Sequence, residues 1–310
     1  MDMKKSILVI FLFAVLLAGC TFPYPTPMLT SPEAPGRAKP SATITLTPTP
    51  SPTATFTPTA TETPTPTPSP TPGCLETTGR IEAHELEVAG LSQPLRFRVY
   101  LPPCYSTAPE QPYPVLYMLH GQSFDETQWD NLGIDEAADA MISSGEIQPL
   151  IIVMPGEDKW LENALSSRFG PALINQVIPW VDANYPTCPE RACRALGGLS
   201  RGAAWAMRLG ILHPELFTAL GGHSLALFDG DVNYLPVLLT RMDASLRPQI
   251  YLDVGDKDRW KDSMTVFVAK LEYIQMTPVF LVQPGGHNEA YWREHTPEYL
   301  RWYASQLKQP

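Results

Sequence analysis

The 310-residue sequence has few cysteines, little positive charge and no apolar run long enough to cross a bilayer. Its five cysteines include no pair at C-x-x-C spacing, so we expect no zinc site and no metal. Lys and Arg number 22 against 32 Asp and Glu, without a basic stripe. Nucleic acids and anionic membrane surfaces are therefore poor partners. The longest apolar run, residues 7–18, is shorter than the roughly 20 residues of a transmembrane helix.

That apolar run is typical of the core of a secretory signal peptide. Lys4 and Lys5 precede it, and it ends at residues 17–20, LAGC, which resemble the lipobox of bacterial lipoproteins. Cleavage there leaves Cys20 as a lipid-bearing N-terminus. The alternative is an ordinary secretory signal, but small residues at both positions before Cys20 favour the lipobox. We expect residues 1–20 to be a lipoprotein signal peptide with its lipobox, and lipid on Cys20 to anchor the protein to the membrane, outside the cytoplasm.

Residues 21–73 have the composition of a linker. They hold 16 Thr and 15 Pro among 53 residues, and proline restricts the backbone and removes hydrogen-bond donors. Because so few apolar side chains cannot build a core, we expect a disordered, extended stalk. A role as a Pro-rich ligand is the less favoured alternative. Residues 74–310 remain for one folded α/β domain, which carries 18 Lys and Arg against 29 Asp and Glu.

Four cysteines lie in that domain. An even number outside the cytoplasm favours disulfides over free buried thiols. Cys188 and Cys193 bracket a short turn, so we expect them to pair. Cys74 and Cys104 would then form the second bridge, although four cysteines allow three pairings.

Predicted strands and helices alternate along the domain. Residues 81–88 and 95–101 predict an antiparallel hairpin at one edge of a sheet. Further strands are expected at 114–119, 150–154, 192–199, 250–254 and 279–282, with helices at 134–142, 171–184, 263–274 and 291–306. This alternation predicts a mainly parallel sheet with helices on both faces. Catalytic residues should then lie on loops at the carboxyl ends of the parallel strands.

A serine stands at the turn between a predicted strand and a predicted helix. Residues 198–202 read GLSRG, a G-x-S-x-G motif. In a strand-to-helix turn this sharp, glycines avoid clashes and the serine hydroxyl is presented at the end of the sheet. The motif makes Ser200 the candidate nucleophile.

A serine hydroxyl needs a base, and the base needs an acid to orient it. The usual chain order in this architecture is Ser, acid, His. His287 lies in a Gly-rich loop directly after strand 279–282 and is the candidate base, whereas His295 is expected at the surface. The acid should follow strand 250–254, where Asp256 and Asp258 lie in the loop and Asp253 lies inside the strand.

The reaction also needs two donors for the oxyanion. The backbone N–H of Arg201, directly after the nucleophile, is one candidate, and the N–H of Gln122, after His120-Gly121, is the other. The alternative, that His120-Gly121 is only a turn, is less favoured because both loops lie at the same strand ends. Four aromatic residues could stack on an acyl group or sugar, or could equally pack in the core: Trp129, Trp160, Phe228 and Trp292.

Together these segments resemble the esterase family of α/β-hydrolases, which includes S-formylglutathione hydrolases, feruloyl and acetyl xylan esterases, siderophore esterases and mycolyltransferases. The matching segments run through nearly the whole domain: 98–103, 113–121 with Trp129, 178–181 with 185–186, 198–202, 213–217, and 285–287 with 291–292. The resemblance implies an α/β-hydrolase fold and ester hydrolysis through an acyl-enzyme on Ser200, without a cofactor. The family spacing selects Asp258 as the acid. Some members carry extra glycines where Gln122-Ser123-Phe124 stands here.

The sequence is compatible with three functions. The first is a surface-tethered esterase that acts on polysaccharide-linked feruloyl or acetyl esters. The second is an acyltransferase that uses the same residues with a sugar or lipid alcohol as acceptor. The third, a non-enzymatic binding lipoprotein on an inactive scaffold, is disfavoured because nucleophile, base and acid candidates are all present.

Overall fold

The computed structural model describes residues 76–105, 112–158 and 162–310. The predicted signal peptide with Cys20, the linker, Cys74 and Trp160 lie outside these residues, so the predictions made for them remain predictions. Within the described part of the chain, no helix combines the length and the apolar character needed to cross a bilayer.

One eight-stranded sheet organises the described residues, in the order β1-β2-β4-β3-β5-β6-β7-β8. β1 pairs antiparallel with β2, and β2 antiparallel with β4, whereas all other neighbours are parallel. The strands are β1 (Arg80–Leu86), β2 (Leu95–Leu101), β3 (Val115–Leu119), β4 (Ile151–Pro155), β5 (Arg194–Leu199), β6 (Ala219–His223), β7 (Gln249–Gly255) and β8 (Val279–Gln283). The predicted antiparallel edge hairpin and parallel centre are confirmed.

Helices cover both faces of this sheet. They are α1 (Gln128–Asn131), α2 (Ile134–Ser143), α3 (Phe169–Ala172), α4 (Ile178–Asn184), α5 (Arg201–Leu212), α6 (Asp231–Arg241), α7 (Lys261–Tyr273) and α8 (Glu289–Gln306). A π-helical turn, Leu173–Val177, joins α3 to α4. Alternate strand residues enter two separate cores: Leu196 packs with α3 to α7 on one face, and Ala195 with α1, α2 and α8 on the other. The predicted α/β-hydrolase architecture is confirmed.

Three of these strands and helices, α1, β6 and α6, have no counterpart among the sequence predictions. β6 contains Gly221 and Gly222, which weaken a strand, and α6 carries Pro236 in its interior. β6 forms because it lies between β5 and β7 with all five of its residues buried. A Cβ atom on Gly221 would lie 1.6 Å from the Tyr303 hydroxyl, so glycine is required there by the close approach of α8.

One predicted disulfide is present. Cys188 and Cys193 are bonded across the turn that precedes β5, with their Cα atoms 5.8 Å apart. Cys104 is also disulfide-bonded, and its predicted pairing with Cys74 remains a prediction.

Candidate active site

The backbone at Ser200 is held in a conformation that few L-residues adopt. Its φ is 53° and its ψ is −116°, between the end of β5 and the start of α5. A Cβ atom at Gly202 would lie 2.3 Å from the Leu119 carbonyl oxygen, so a side chain there would prevent the turn. The Ser200 N–H donates to the His223 carbonyl at 2.8 Å, which ties the strained residue to β6.

Three side chains from three loops form one hydrogen-bonded line. His287 Nε2 lies 2.9 Å from Ser200 Oγ, and His287 Nδ1 lies 2.9 Å from Asp258 Oδ2. Ser200 precedes α5, Asp258 follows β7, and His287 follows β8. With a proton on Nδ1, the imidazole donates to the carboxylate and accepts from the serine hydroxyl, which is the arrangement of a general base next to its nucleophile.

The three aspartates proposed as acids have different partners. Asp256 Oδ1 accepts the Gly285 N–H at 2.9 Å, so this carboxylate clamps the loop that carries His287. Asp253 is fully buried below the site. Asp258 alone contacts the imidazole.

Opposing effects act on the pKa of Asp258. Burial raises the pKa, but hydrogen bonds from His287, from the Trp260 N–H and from Ser224 outweigh it, and the pKa lies below its ordinary value. The carboxylate is therefore ionised at neutral pH and can stabilise a protonated imidazole.

The predicted oxyanion loop is fixed by a buried histidine. His120 Nε2 accepts the Glu157 N–H at 2.7 Å, which leaves the proton on Nδ1 for the Gly121 carbonyl at 2.8 Å. Burial lowers the pKa of His120 and keeps it neutral. Because the peptide is trans, the Gln122 N–H points away from the anchored Gly121 carbonyl. Gln122 lines the same cleft as Ser200.

The other predicted oxyanion donor is the backbone N–H of Arg201, a residue whose side chain is also held in place. The Arg201 guanidinium makes two hydrogen bonds to the buried Glu157 carboxylate, at 2.8 and 2.7 Å. Trp205 Nε1 donates to the same carboxylate at 2.9 Å. Glu157 thus links the start of α5 to His120. Sequence reasoning missed this role, although Glu157 directly follows the Pro-Gly pair at the end of β4.

One cleft opens at the serine, and a second cleft adjoins it. The first, of about 740 Å³, is lined by Ser200, His287, Trp292 and residues 121–124. The second, of about 450 Å³, shares Gln122 with the first and includes Phe228 and Arg201 in its wall. Clefts of this size hold small organic ligands.

The three aromatic candidates that lie within the described residues have different positions. Trp292 lines the first cleft, and its ring lies 5.0 Å from the His287 ring in an edge-on contact. Phe228 lines the second cleft and packs on Trp205. Trp129 is 1% exposed, and its Nε1 donates to the Leu119 carbonyl. The substrate-stacking hypothesis is therefore wrong for Trp129, a core residue.

His295 is not a surface residue, contrary to expectation. Its side chain is 12% exposed, and its ring packs 4.5 Å from that of Tyr291. Helix α8 turns this face toward the sheet, which the predicted helix pattern did not indicate.

A buried polar cluster below the site was also missed. The Asp253 carboxylate accepts hydrogen bonds from the Tyr291 and Tyr299 hydroxyls at 2.8 Å, and it lies 2.6 Å from His223 Nδ1. His223 Nε2 lies 3.1 Å from the Tyr303 hydroxyl. The three tyrosines all belong to α8, so the cluster fastens the helix that follows His287. Their recurrence along one helix was the available signal.

Comparison with known proteins gives a family-level match. The sequence profile of a family described as "Putative esterase" matches residues 89–303. Esterase Rv1288 of Mycobacterium tuberculosis is 36% identical over 135 residues, covering 41% of this chain and 28% of that protein. A xylanase/feruloyl esterase of Xylanibacter ruminicola is 31% identical over 170 residues, covering 52% and 22% respectively. The chain thus spans less than a third of either relative.

Solved structures share the fold. A ferulic acid esterase superposes with a TM-score of 0.66 at 23% identity, covering 74% of this chain and all of that one. An S-formylglutathione hydrolase of Staphylococcus aureus gives 0.62 at 18% identity, covering 73% and 99%.

Proposed function

The chain belongs to the esterase family whose profile spans residues 89–303, and on this premise we propose that it hydrolyses carboxylic esters through an acyl-enzyme on Ser200. The single observation that carries the proposal is the hydrogen-bonded line from Ser200 through His287 to Asp258. Such a line turns a weakly nucleophilic hydroxyl into an attacking group at neutral pH.

In the first half-reaction, Ser200 Oγ attacks the ester carbonyl carbon while its proton passes to His287 Nε2. The carbonyl oxygen becomes an oxyanion and accepts hydrogen bonds from the N–H groups of Gln122 and Arg201. Asp258 stabilises the imidazolium. Collapse of the intermediate breaks the ester C–O bond, and the alkoxide leaves as alcohol with the proton from Nε2.

In the second half-reaction, water attacks the acyl carbon. His287 Nε2 takes the water proton, the oxyanion forms again at the same two donors, and the Ser200–acyl bond breaks. The proton returns to Ser200 Oγ and the carboxylic acid departs. Removing one donor from an oxyanion site typically raises the barrier by roughly 2.7–4 kcal/mol.

The substrate class we propose is an ester linked to a polysaccharide, with feruloyl or acetyl as the acyl group. An ester has an acyl arm and an alcohol arm, and the two clefts that meet at Gln122 offer room for both. Trp292 and Phe228 give each cleft an aromatic wall. One relative, the xylanase/feruloyl esterase of Xylanibacter ruminicola, supports this choice.

Hydrolysis of a panel of feruloyl, acetyl and plain aliphatic esters by the whole protein tests the proposal. We expect turnover, with Ser200→Ala losing at least about 10³-fold in kcat. Ser167→Ala is the matched control, because this buried hydroxyl only accepts the Phe169 N–H and lies outside the line. Full turnover by Ser200→Ala, or no hydrolysis of any ester, would contradict the proposal.

We also propose that lipid on Cys20 tethers the protein at the membrane, outside the cytoplasm. The lipobox-like residues 17–20 support the anchor, and the Cys188–Cys193 disulfide suits an oxidising compartment. Cys20→Ala should move the protein from the membrane fraction to the soluble fraction. Retention of the variant on membranes would exclude the anchor.

A further inference from the structure

The dipeptide His223-Ser224, at the end of β6, lies directly below the hydrogen-bonded line. Ser224 is fully buried and has a φ of 53°, in the left-handed region that normally favours glycine. A non-glycine residue held in such a conformation costs stability, and such residues concentrate at functional sites. The serine side chain must therefore provide something that a glycine would not.

Its contacts indicate what the side chain provides. The Ser224 hydroxyl lies close enough to the Asp258 carboxylate to help lower its pKa. The same oxygen accepts the Trp292 Nε1–H at 3.1 Å. The Ser224 N–H donates to the Asp253 carbonyl at 2.8 Å, which fixes the residue against β7.

His223 and Ser224, at the end of β6, therefore lie next to the hydrogen-bonded line. The His223 carbonyl accepts the Ser200 N–H at 2.8 Å, and the Ser224 hydroxyl lies near the Asp258 carboxylate. Trp292, fixed by Ser224, lies at 85° to the His287 ring with the centroids 5.0 Å apart. The imidazole is thus bounded by Asp258 and by Trp292, and the hydroxyl that binds Trp292 also lies near Asp258.

We propose that Ser224 is a positioning residue for ester hydrolysis, which orients Asp258 directly and His287 through Trp292. The inference rests on the proposed function of the Ser200 line. Ser224 touches no reacting atom. Its hydroxyl restricts the rotation of the Asp258 carboxylate and of the Trp292 indole. As a result, His287 Nε2 stays aligned with Ser200 Oγ.

A purely structural explanation makes a different prediction. If the hydroxyl only satisfies the buried indole N–H, removing both partners should restore activity, because neither is then left unpaired. If the hydroxyl positions Asp258, the double variant should remain slow. The pair Ser224→Ala and Trp292→Phe, with the double variant, separates the two explanations, since phenylalanine keeps a ring beside His287 without the N–H.

We expect Ser224→Ala to lower kcat about tenfold with KM unchanged, because hydrogen bonds to charged groups contribute that much. The far-downfield proton resonance of His287 Nδ1–H should broaden or shift. The double variant should stay as slow as Ser224→Ala. Ser224→Gly is a control for misfolding. Glycine relieves the backbone strain at this position and also lacks the hydroxyl, so this variant should be stable but have a low kcat.

Wild-type kcat in Ser224→Gly or Ser224→Ala would overturn the inference, as would recovery of activity in the double variant. An equal loss of kcat in Ser167→Ala would also overturn it. Failure of the proposed function looks different. In that case the wild-type protein and Ser167→Ala hydrolyse no ester, and a fluorophosphonate probe does not label Ser200.

Discussion

Asp256 and Asp258 lie two positions apart on one loop and have separate tasks. The chain order alone left both open as the acid, and the family spacing favoured Asp258. The structure distinguishes them by their contacts, since Asp258 lies against His287 Nδ1 and Asp256 against the Gly285 N–H. Which of two neighbouring carboxylates turns toward the imidazole depends on side-chain direction in an irregular loop, and no residue pattern encodes that direction.

Asp258→Asn should lower kcat on the order of 10⁴-fold, because an amide cannot hold the imidazole tautomer that accepts the serine proton. Asp256→Asn should keep kcat within about tenfold, because it alters only a clamp on the loop backbone. Steady-state kinetics of both variants on one ester measure the difference. A larger loss for Asp256→Asn would reverse the assignment.

His120 should make the folded state sensitive to acid. Burial lowers its pKa. As the pH falls, the imidazole is therefore protonated in the unfolded chain before it is protonated in the folded chain. Its stabilising contribution is complete above the ordinary imidazole pKa of about 6.5 and declines as the pH falls below it, toward the lower folded-state pKa.

Urea unfolding at several pH values measures this contribution. Between about pH 7.5 and about pH 5, the free energy of unfolding should fall less steeply in His120→Asn than in the wild type. His213→Asn, a change at a more exposed histidine, should keep the wild-type slope. Identical slopes in all three proteins would refute the role of His120.

At the scale of elements, the sequence predicted the strands whose residues are all buried and apolar and whose ends are marked by turn-forming residues. β3 and β4 are apolar runs buried at every residue, and their sequences show it. β6 was missed because its burial comes from elsewhere: Gly197 and Gly221 leave space that Tyr303 fills from α8. A strand made possible by a side chain 82 positions away has no local signature.

Gly221→Ala should destabilise the protein by about 1–3 kcal/mol, because the added methyl group overlaps the Tyr303 hydroxyl. Thermal or urea unfolding gives the value. Tyr303→Leu removes the ring, so the double variant should lose less stability than the sum of the single variants. Strict additivity would show that the tyrosine is not the cause.

At the scale of the whole molecule, a stabilising disulfide and the catalytic serine lie at opposite ends of β5. The Cys188–Cys193 disulfide lies before the amino end of this strand, and Ser200 lies at its carboxyl end. The two ends of a strand that is buried throughout can therefore serve different purposes.

Replacing both Cys188 and Cys193 by alanine should lower the free energy of unfolding by about 2 kcal/mol, the loop entropy of so short a bridge. Below the unfolding transition, kcat should stay at the wild-type value. Denaturant titration and ester turnover on the same sample test both statements. A fall in kcat without unfolding would show that the bridge reaches the site.

The attacking hydroxyl and its proton acceptor stand 87 positions apart in the chain, and the helix that secures the acceptor docks through Tyr291, Tyr299 and Tyr303. A chain that has folded only as far as its central strands therefore contains the nucleophile without the means to activate it. Catalytic competence therefore requires that α8 has docked. Recovery of ester turnover during refolding is consequently a direct reporter of complete assembly.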